Sequence, residues 1–500
     1  MLRTLVRQKA RFDSGSATFA LLRRSSSAPL SNNARLYASA SSSEKYKTSQ
    51  AKGEEGKLPL VEDKTVRDIV EGAAERLEHR DAFIAEHQYN TKLTFLKLNE
   101  NVDNYANGFG TIRTHRKLGD CVGLMLPDDT ETFLLQLATG KAGVRVACMD
   151  PLASQEAIEH TIKSLKPKAV IVPQKVRGRD NIDFFTSKIV PELADWPVYE
   201  VPFKSKKFPS LRFLLQNGSD REAGFIMLRD MMWVDATPSQ LPNPGVVKPD
   251  ETFISFHTKH SIPRAAAFSH RSVINSAAQF GSVLGLTIDD RVCFASPLQS
   301  ALGFSTGTLA CLTRGSVVVL SDHVFTPERV LKTIERDSCT WLHCTAPQLQ
   351  AILQNPLLSK VKLNTLKKIV VVNDPQFGGL NTEKVSQLAE EALASLKLED
   401  VVIAHGTTEA GGAFLHRSVK DGMSSASAGK LLPHVEAKVV DNKGTIVKPG
   451  VSGKLYVKGY NTMQKYWEDD AATKQVLGAD GWLDTGLPAS MSASGDFTLA

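Results

Sequence analysis

Between Glu251 and Val273 the chain reads ETFISFHTKHSIPRAAAFSHRSV. Apolar Phe253 and Ile254 lead into a polar loop, His257 to Ser261. Pro263 and Arg264 follow, then the small residues Ala265 to Ala267, and Ser269-His270 at a helix start. Strand, tight loop, basic residue, return strand and helix is the layout with which proteins cradle phosphate. Successive backbone N–H groups converge on the anion, and a Lys or Arg supplies charge. His257, Lys259, His260 and Arg264 make this loop basic. Glycines normally permit the convergence, because they tolerate positive φ and let the backbone approach closely. This loop has none, and the β-branched Thr258 is poorly suited to such a conformation. On these residues alone, weak anion binding and an ordinary solvated loop both stay open.

Other chemistry is sparse. Six cysteines (Cys121, Cys148, Cys293, Cys311, Cys339, Cys344) form no CxxC and no Cys/His metal spacing, so they read as reduced, mostly buried thiols. The chain has 500 residues, enough for two or three domains, and its 42 % hydrophobic and 23 % charged content is that of a globular protein. Apolar runs such as Val317–Leu320 and Ile369–Val372 are strand-sized, which argues against a transmembrane segment. Residues 1–43 carry Arg3, Arg7, Lys9, Arg11, Arg23, Arg24 and Arg35 against one acid, Asp13, among many Ser and Ala. That is the composition of a transit peptide, and Arg35-Leu36-Tyr37 before Ala38 favours mitochondria, on the matrix side. The excess positive charge of this leader equals the +6 of the whole chain. The remainder is therefore near neutral and gives no argument for nucleic acid as a partner.

The elements that must position the loop follow in order. Residues 44–64 read as a charged linker. Val66, Ile69, Val70, Ala73 and Leu77 fall on one helical face. Strands are predicted at Ala82–Glu86, Val122–Leu126, Val144–Cys148 and Ala169–Val172. Helices carrying Val102 and Tyr105, Phe133 and Leu137, and Glu156–Leu165 stand between them. This alternation implies an α/β fold with parallel sheets covered by helices. Residues 174–245 read as an inserted excursion and connector. Helices at Ser272–Leu284 and from Gly303 follow. A Thr326-Pro327-Glu328 cap opens another helix. Strands at Ser316–Leu320, Leu366–Val372 and Val401–Ala404 continue the pattern, with a helix at Thr382–Leu396. From residue 435 alternating strands joined by Asn442-Lys443-Gly444 and Pro449-Gly450 turns give a small β-barrel-like subdomain. The domain reading is thus 1–43 leader, 44–64 linker, 65–434 α/β domain and 435–500 barrel-like subdomain.

Five stretches carry a resemblance: KLGDCVGLMLPDDTETFLLQLATGKAGVRVACMDP from Lys117, FTPERVLKTIERDSCTWLHCTAP from Phe325, HGTTEAGG from His405, GKLYVKGYNTMQKYW from Gly453 and DGWLDTG from Asp480. In this order they resemble the adenylate-forming (AMP-binding) superfamily of acyl-CoA synthetases, luciferases and peptide-synthetase adenylation domains. The resemblance implies a large layered α/β domain with a barrel-like subdomain. It implies activation of a carboxylate with ATP and Mg²⁺ through an acyl-adenylate, mostly followed by transfer to coenzyme A. It also implies a mobile C-terminal domain that delivers a lysine to the developing charge.

Matched residue by residue, the resemblance is uneven. The family phosphate loop S/T-G-T-T-G-x-P-K stands here as His257 to Arg264, with Thr258 and Ser261 in place of glycines and Arg264 in place of lysine. Thr258, Lys259, His260, Ser261 and Arg264 are therefore a vestigial phosphate loop. The adenine-side turn A/G-G-S/A-P stands as Val372-Asn373-Asp374-Pro375, and P-L-F-H as Pro297-Leu298-Gln299-Ser300. The Thr-Glu signature survives: Thr408 matches a phosphate-binding threonine and Glu409 a Mg²⁺ ligand. His405 replaces the aromatic that stacks on adenine, beside Gly406. The ribose-binding T-G-D is Thr485-Gly486-Leu487, without a carboxylate, and Asp484 is expected to point elsewhere. GDFTLA, Gly495 to Ala500, resembles the segment just before the family's G-R-x-K-D hinge, so the C-terminal domain and its lysine are expected to be absent. The expected function is an acyl-CoA synthetase-like mitochondrial protein without full ligase activity, acting as a structural or accessory subunit beside other mitochondrial proteins. The alternatives are an ATP-dependent fatty acid–CoA ligase, or a module holding a small acyl ligand or nucleotide. ATP or AMP, Mg²⁺ and CoA enter as ligands implied by the resemblance alone.

Overall fold

A computed structural model describes residues 45–56, 58–88, 90–111, 120–194, 196, 202–232, 241–258 and 262–499. The leader 1–43, the Lys117–Gly119 turn and the loop residues Lys259, His260 and Ser261 lie outside them.

Runs of β-branched residues form the central strands, as their continuous apolar character requires of strands covered on both faces. Val317–Leu320 and Lys368–Asn373 lie inside a nine-stranded sheet. Its order is Lys430–Leu431, Gly412–Ser418, Asp400–Thr407, Lys368–Asn373, Trp341–Thr345, Arg291–Phe294, Val317–Leu320, Asp81–Ala85 and Thr91–Thr94. The pairings from Asp400–Thr407 through Asp81–Ala85 are parallel. A second sheet of eight strands runs Phe225–Met227, Phe213–Gln216, Ala169–Val172, Cys121–Leu124, Arg145–Cys148, Thr252–His257, Ala265–Ser269 and Lys465–Tyr466. It is parallel up to Thr252–His257 and antiparallel across its last two pairs.

Helix Thr130–Ala142 is buried on almost every side, not only along its Phe133–Leu137 face. Gly143, in the left-handed region at φ 68°, ends it. Near its end the fully buried Lys141 reaches Asp103 at 2.6 Å, Asn99 at 2.9 Å and Glu71 at 3.0 Å, which matches a buried ammonium with carboxylates and an amide oxygen. The C-terminal region forms a five-stranded antiparallel sheet of Gln50–Lys52, Glu436–Val440, Gly453–Lys458, Leu483–Met491 and Phe497–Leu499.

Three expectations change. The stretch 44–64, read as a linker, supplies the edge strand Gln50–Lys52, paired from Gln50↔Lys438 to Lys52↔Glu436. Ser49 and Ala51 are its buried residues, too few to leave a periodic signal. The 174–245 excursion contributes Phe213–Gln216 and Phe225–Met227 to the eight-stranded sheet. Thr326 does precede its helix, but its hydroxyl caps nothing.

Candidate functional site

The loop of the opening stretch springs from the pair Thr252–His257 and Ala265–Ser269, with His257 opposite Ala265. Ser269 caps the following helix by accepting from Ser272 N. Thr258 is 1 % exposed. Its N–H donates to Arg264 O at 2.9 Å, and Arg264 N–H donates to Thr258 Oγ1 at 3.1 Å. The base of the loop is thereby tied to itself, and two N–H groups that could face an anion are engaged. His257 Nδ1 meets the Cys148 carbonyl, and burial holds the ring below the usual histidine range. His257 is thus neutral near pH 7 and adds no charge to the loop, contrary to its sequence reading. The Arg264 guanidinium lies 5.5 Å from the Tyr466 ring centre and 3.7 Å from the Asp469 carboxylate, both in the polypeptide downstream.

On the adenine side Asn373 and His405 are register partners in adjacent parallel strands, with Nδ2 and Nδ1 3.4 Å apart. Asn373 also donates to Leu380 O at 2.8 Å and accepts from Leu380 N at 2.9 Å. Its bulk clamps the turn that follows the strand. Asp374 starts that turn by accepting from Gln376 N at 2.8 Å. His405 is buried, and burial, with Arg417 a lesser cause, lowers it to about 4. We expect Asn373→Ala to destabilise the fold by about 2–3 kcal/mol, because both Leu380 backbone groups lose their partner together. Urea unfolding checks this; a midpoint unchanged from wild type would show that the clamp is dispensable.

The Thr-Glu pair also looks inward. Thr408 is buried, and its hydroxyl donates to Gln376 Oε1 at 3.2 Å. Glu409 Oε1 accepts from Tyr466 OH at 2.8 Å. Glu409, Tyr466 and Arg264 are thus brought together through the edge strand Lys465–Tyr466, a grouping the sequence did not reveal. Tyr466 stands within a quoted motif, but nothing local marks its bond to a residue 57 positions earlier. Leu487 is partly buried against the main core. Asp484 accepts from Tyr456 OH at 3.1 Å and Gly486 N at 2.9 Å, so it does not take over from Leu487.

A cavity of about 570 Å³ opens between the two large sheets. Met149, Val324, Phe325 and Phe377 give it an apolar wall, and His257 and Thr258 bring the base of the loop to it. It lies beyond the carboxyl ends of Cys121–Leu124, Arg145–Cys148 and Thr252–His257, where α/β sheets commonly bind ligands. Among the described candidate residues, Thr258 lines it. Arg264, Asn373, Asp374, His405, Gly406, Thr408 and Glu409 do not.

Two helix-covered, largely parallel sheets thus meet at a cavity beyond their strand ends, and an antiparallel sheet follows them. The family described as AMP-binding enzyme matches residues 70–467, and the chain belongs to it. Curated relatives include "Medium-chain acyl-CoA ligase ACSF2, mitochondrial" of Bos taurus, 27 % identical over 87 % of this chain and 70 % of its own length. The Homo sapiens protein of that name is 26 % identical over 86 % of this chain and 70 % of its own. Among solved structures, the anthranilate CoA ligase AuaEII in complex with anthranoyl-AMP superposes with a TM-score of 0.73 at 19 % identity, covering 88 % of this chain and 78 % of that one. The N-terminal domain of FACL13 from Mycobacterium tuberculosis gives 0.71 at 16 % identity, covering 87 % and 100 %. These likenesses show the shared fold. No helix among the described residues is long and apolar enough to cross a membrane.

Proposed function

We propose that this chain is an acyl-CoA synthetase-like protein that does not run the complete ATP-dependent ligase reaction. In this reading it serves in mitochondria, on the matrix side, as a structural or accessory component beside other proteins. The observation that carries the reading is the closed base of the His257–Arg264 loop, where Thr258 and Arg264 bond each other. A phosphate taking the Thr258 and Arg264 N–H groups would have to displace both bonds, next to a histidine kept neutral by burial. The other positions support it. Leu487 offers ribose no acceptor, Asn373 fills the turn at which a purine would need close backbone approach, and Thr408 is bonded to Gln376. Glu409 retains a carboxylate for Mg²⁺ but shares it with Tyr466. These residues do not fit ATP as the family holds it, so no reaction step is assigned to ATP, Mg²⁺ or CoA. The division into a leader at 1–43, an α/β domain at 65–434 and a smaller region at 435–500 belongs to the same proposal, with the 44–64 stretch contributing a strand to the last.

The cavity favours a second reading, a module that holds a small acyl ligand without turnover. Its volume and apolar wall suit a short hydrocarbon chain. The relatives named as medium-chain acyl-CoA ligases favour the enzyme. Calorimetric titration with ATP–Mg²⁺ and pyrophosphate exchange with medium-chain fatty acids separate the three. The expected result is no saturable ATP binding and no exchange. Micromolar ATP binding lost in Glu409→Ala, or measurable exchange, would overturn the proposal. Fatty acid binding without exchange would select the module.

A further inference from the structure

His87, Asp129 and His323 are far apart in the chain and together in the fold. One donor atom from each lies within 4.8 Å of the other two. They arrive from the turn after Asp81–Ala85, from the N-cap of Thr130–Ala142, and from the loop after Val317–Leu320. The imidazole rings of His87 and His323 meet edge to face, with centres 4.6 Å apart and planes at 89°. His323 Nδ1 contacts Asp129 Oδ1.

An ion pair of Asp129 with His323 accounts for two of these groups. It leaves His87 unexplained, because both its ring nitrogens are shut off from solvent and neither has a hydrogen-bond partner. A neutral imidazole carries one donor and one acceptor nitrogen, and buried polar atoms of this kind are nearly always partnered. A cation beside Asp129 and His323 would take the lone pair of one of these nitrogens.

The frame around the cluster is fixed by other bonds. Gln88 Oε1 accepts from Thr130 N at 2.7 Å and Thr130 Oγ1 at 2.6 Å, and Gln88 Nε2 donates to Glu131 at 3.1 Å. These bonds lock the His87 turn to the helix start. Asp128 N donates to His323 O at 3.3 Å, which locks the third segment to the same place.

We propose that His87, Asp129 and His323 form a binding site for one divalent transition cation of the zinc class. Two imidazole nitrogens and one carboxylate oxygen are a donor set that suits zinc, whereas Mg²⁺ prefers oxygen alone. Three protein ligands leave a coordination position for water or a ligand. His323 also lines the 570 Å³ cavity, so the ion would stand at the cavity wall, apart from Glu409. The six cysteines are all buried, so they offer zinc no competing surface site.

Zn²⁺ alone, titrated calorimetrically into chelator-treated full-length protein, tests the site. One equivalent is expected to bind in the micromolar range or tighter and to raise the melting temperature. Millimolar Mg²⁺ should not compete. His87→Ala and His323→Ala should each weaken binding by more than about 100-fold, beyond the loss typical of an outer-shell residue. His79→Ala, at an exposed histidine, should leave it unchanged. Because His87→Ala removes a ring from a packed turn, cooperative unfolding of the metal-free variants verifies that they fold, and the half-exposed His323 provides the independent variant. Absence of stoichiometric binding, binding unchanged in both variants, or displacement by Mg²⁺ would overturn the assignment.

Discussion

Gly406→Ala is expected to lower the unfolding free energy by about 3 kcal/mol or more, through overpacking against main chain. A Cβ at this position would stand 2.0 Å from Gly412 O and 2.6 Å from Gly412 C. Both are backbone atoms of the antiparallel neighbour Gly412–Ser418, paired through Gly406↔Ala413 and Thr407↔Gly412 after a register shift at His405. No side-chain rotation relieves such a contact, so the strands must part at the end of the buried sheet. Gly444 provides the contrast. Its φ of +82° strains an alanine, but nothing lies within 4 Å, so Gly444→Ala should cost only about 1–2 kcal/mol. Urea unfolding of both variants checks the comparison, and equal losses would refute it. Gly406 resembles an adenine-side glycine in sequence, yet the close approach of two strands is sufficient reason for it to be glycine.

Acidification is expected to destabilise the protein steeply between pH 6.5 and 4. His270, His343 and His405 are buried and His416 is half-buried, with His405 and His416 at about 4 and His270 and His343 at about 3. Burial is the main cause in each case, with Arg417 adding at His405 and Lys430 at His416. Folded values lie below the ordinary 6.5, so within this window the unfolded chain binds more protons. Their contribution to stability is full above pH 6.5 and is lost as the pH falls toward the folded values. Each such histidine contributes a slope of up to about 1.4 kcal/mol per pH unit, and four together about 5. That is large against a typical domain stability of about 5–15 kcal/mol. Melting temperature measured from pH 7.5 to 4.5 should therefore fall sharply below pH 6.5, and His405→Gln should flatten the slope by about one proton. A melting temperature constant down to pH 5 would show that these rings protonate in the folded state.

Much of the fold was legible because its signals are local. Val317–Leu320 and Ile369–Val372 are too short for anything but strands and too apolar to face water. The helix faces at Val66–Leu77 and Thr382–Leu396 repeat at the helical period. The strand Gln50–Lys52 was not legible, because a three-residue polar segment becomes a strand only when Glu436–Val440 lies beside it. Phe213–Gln216 and Phe225–Met227 are likewise short: the first joins Ala169–Val172 across a long connection, and the second pairs with the first.

The candidate site divides along the same line. The amino-acid sequence alone determined which chemistry each position can offer: Leu487 accepts no hydrogen bond, Thr258 lacks the freedom of glycine, and Glu409 keeps a carboxylate. These properties reside in single side chains. Only the tertiary structure decided which polar atoms already have partners. It closed Thr258 onto Arg264, set Tyr466 against Glu409, turned Asp484 to Tyr456, and left His87 beside Asp129 and His323 without a partner. A hydrogen bond or a ligand set depends on distances of a few ångströms between residues tens to hundreds of positions apart, and those distances exist only once the sheets have packed.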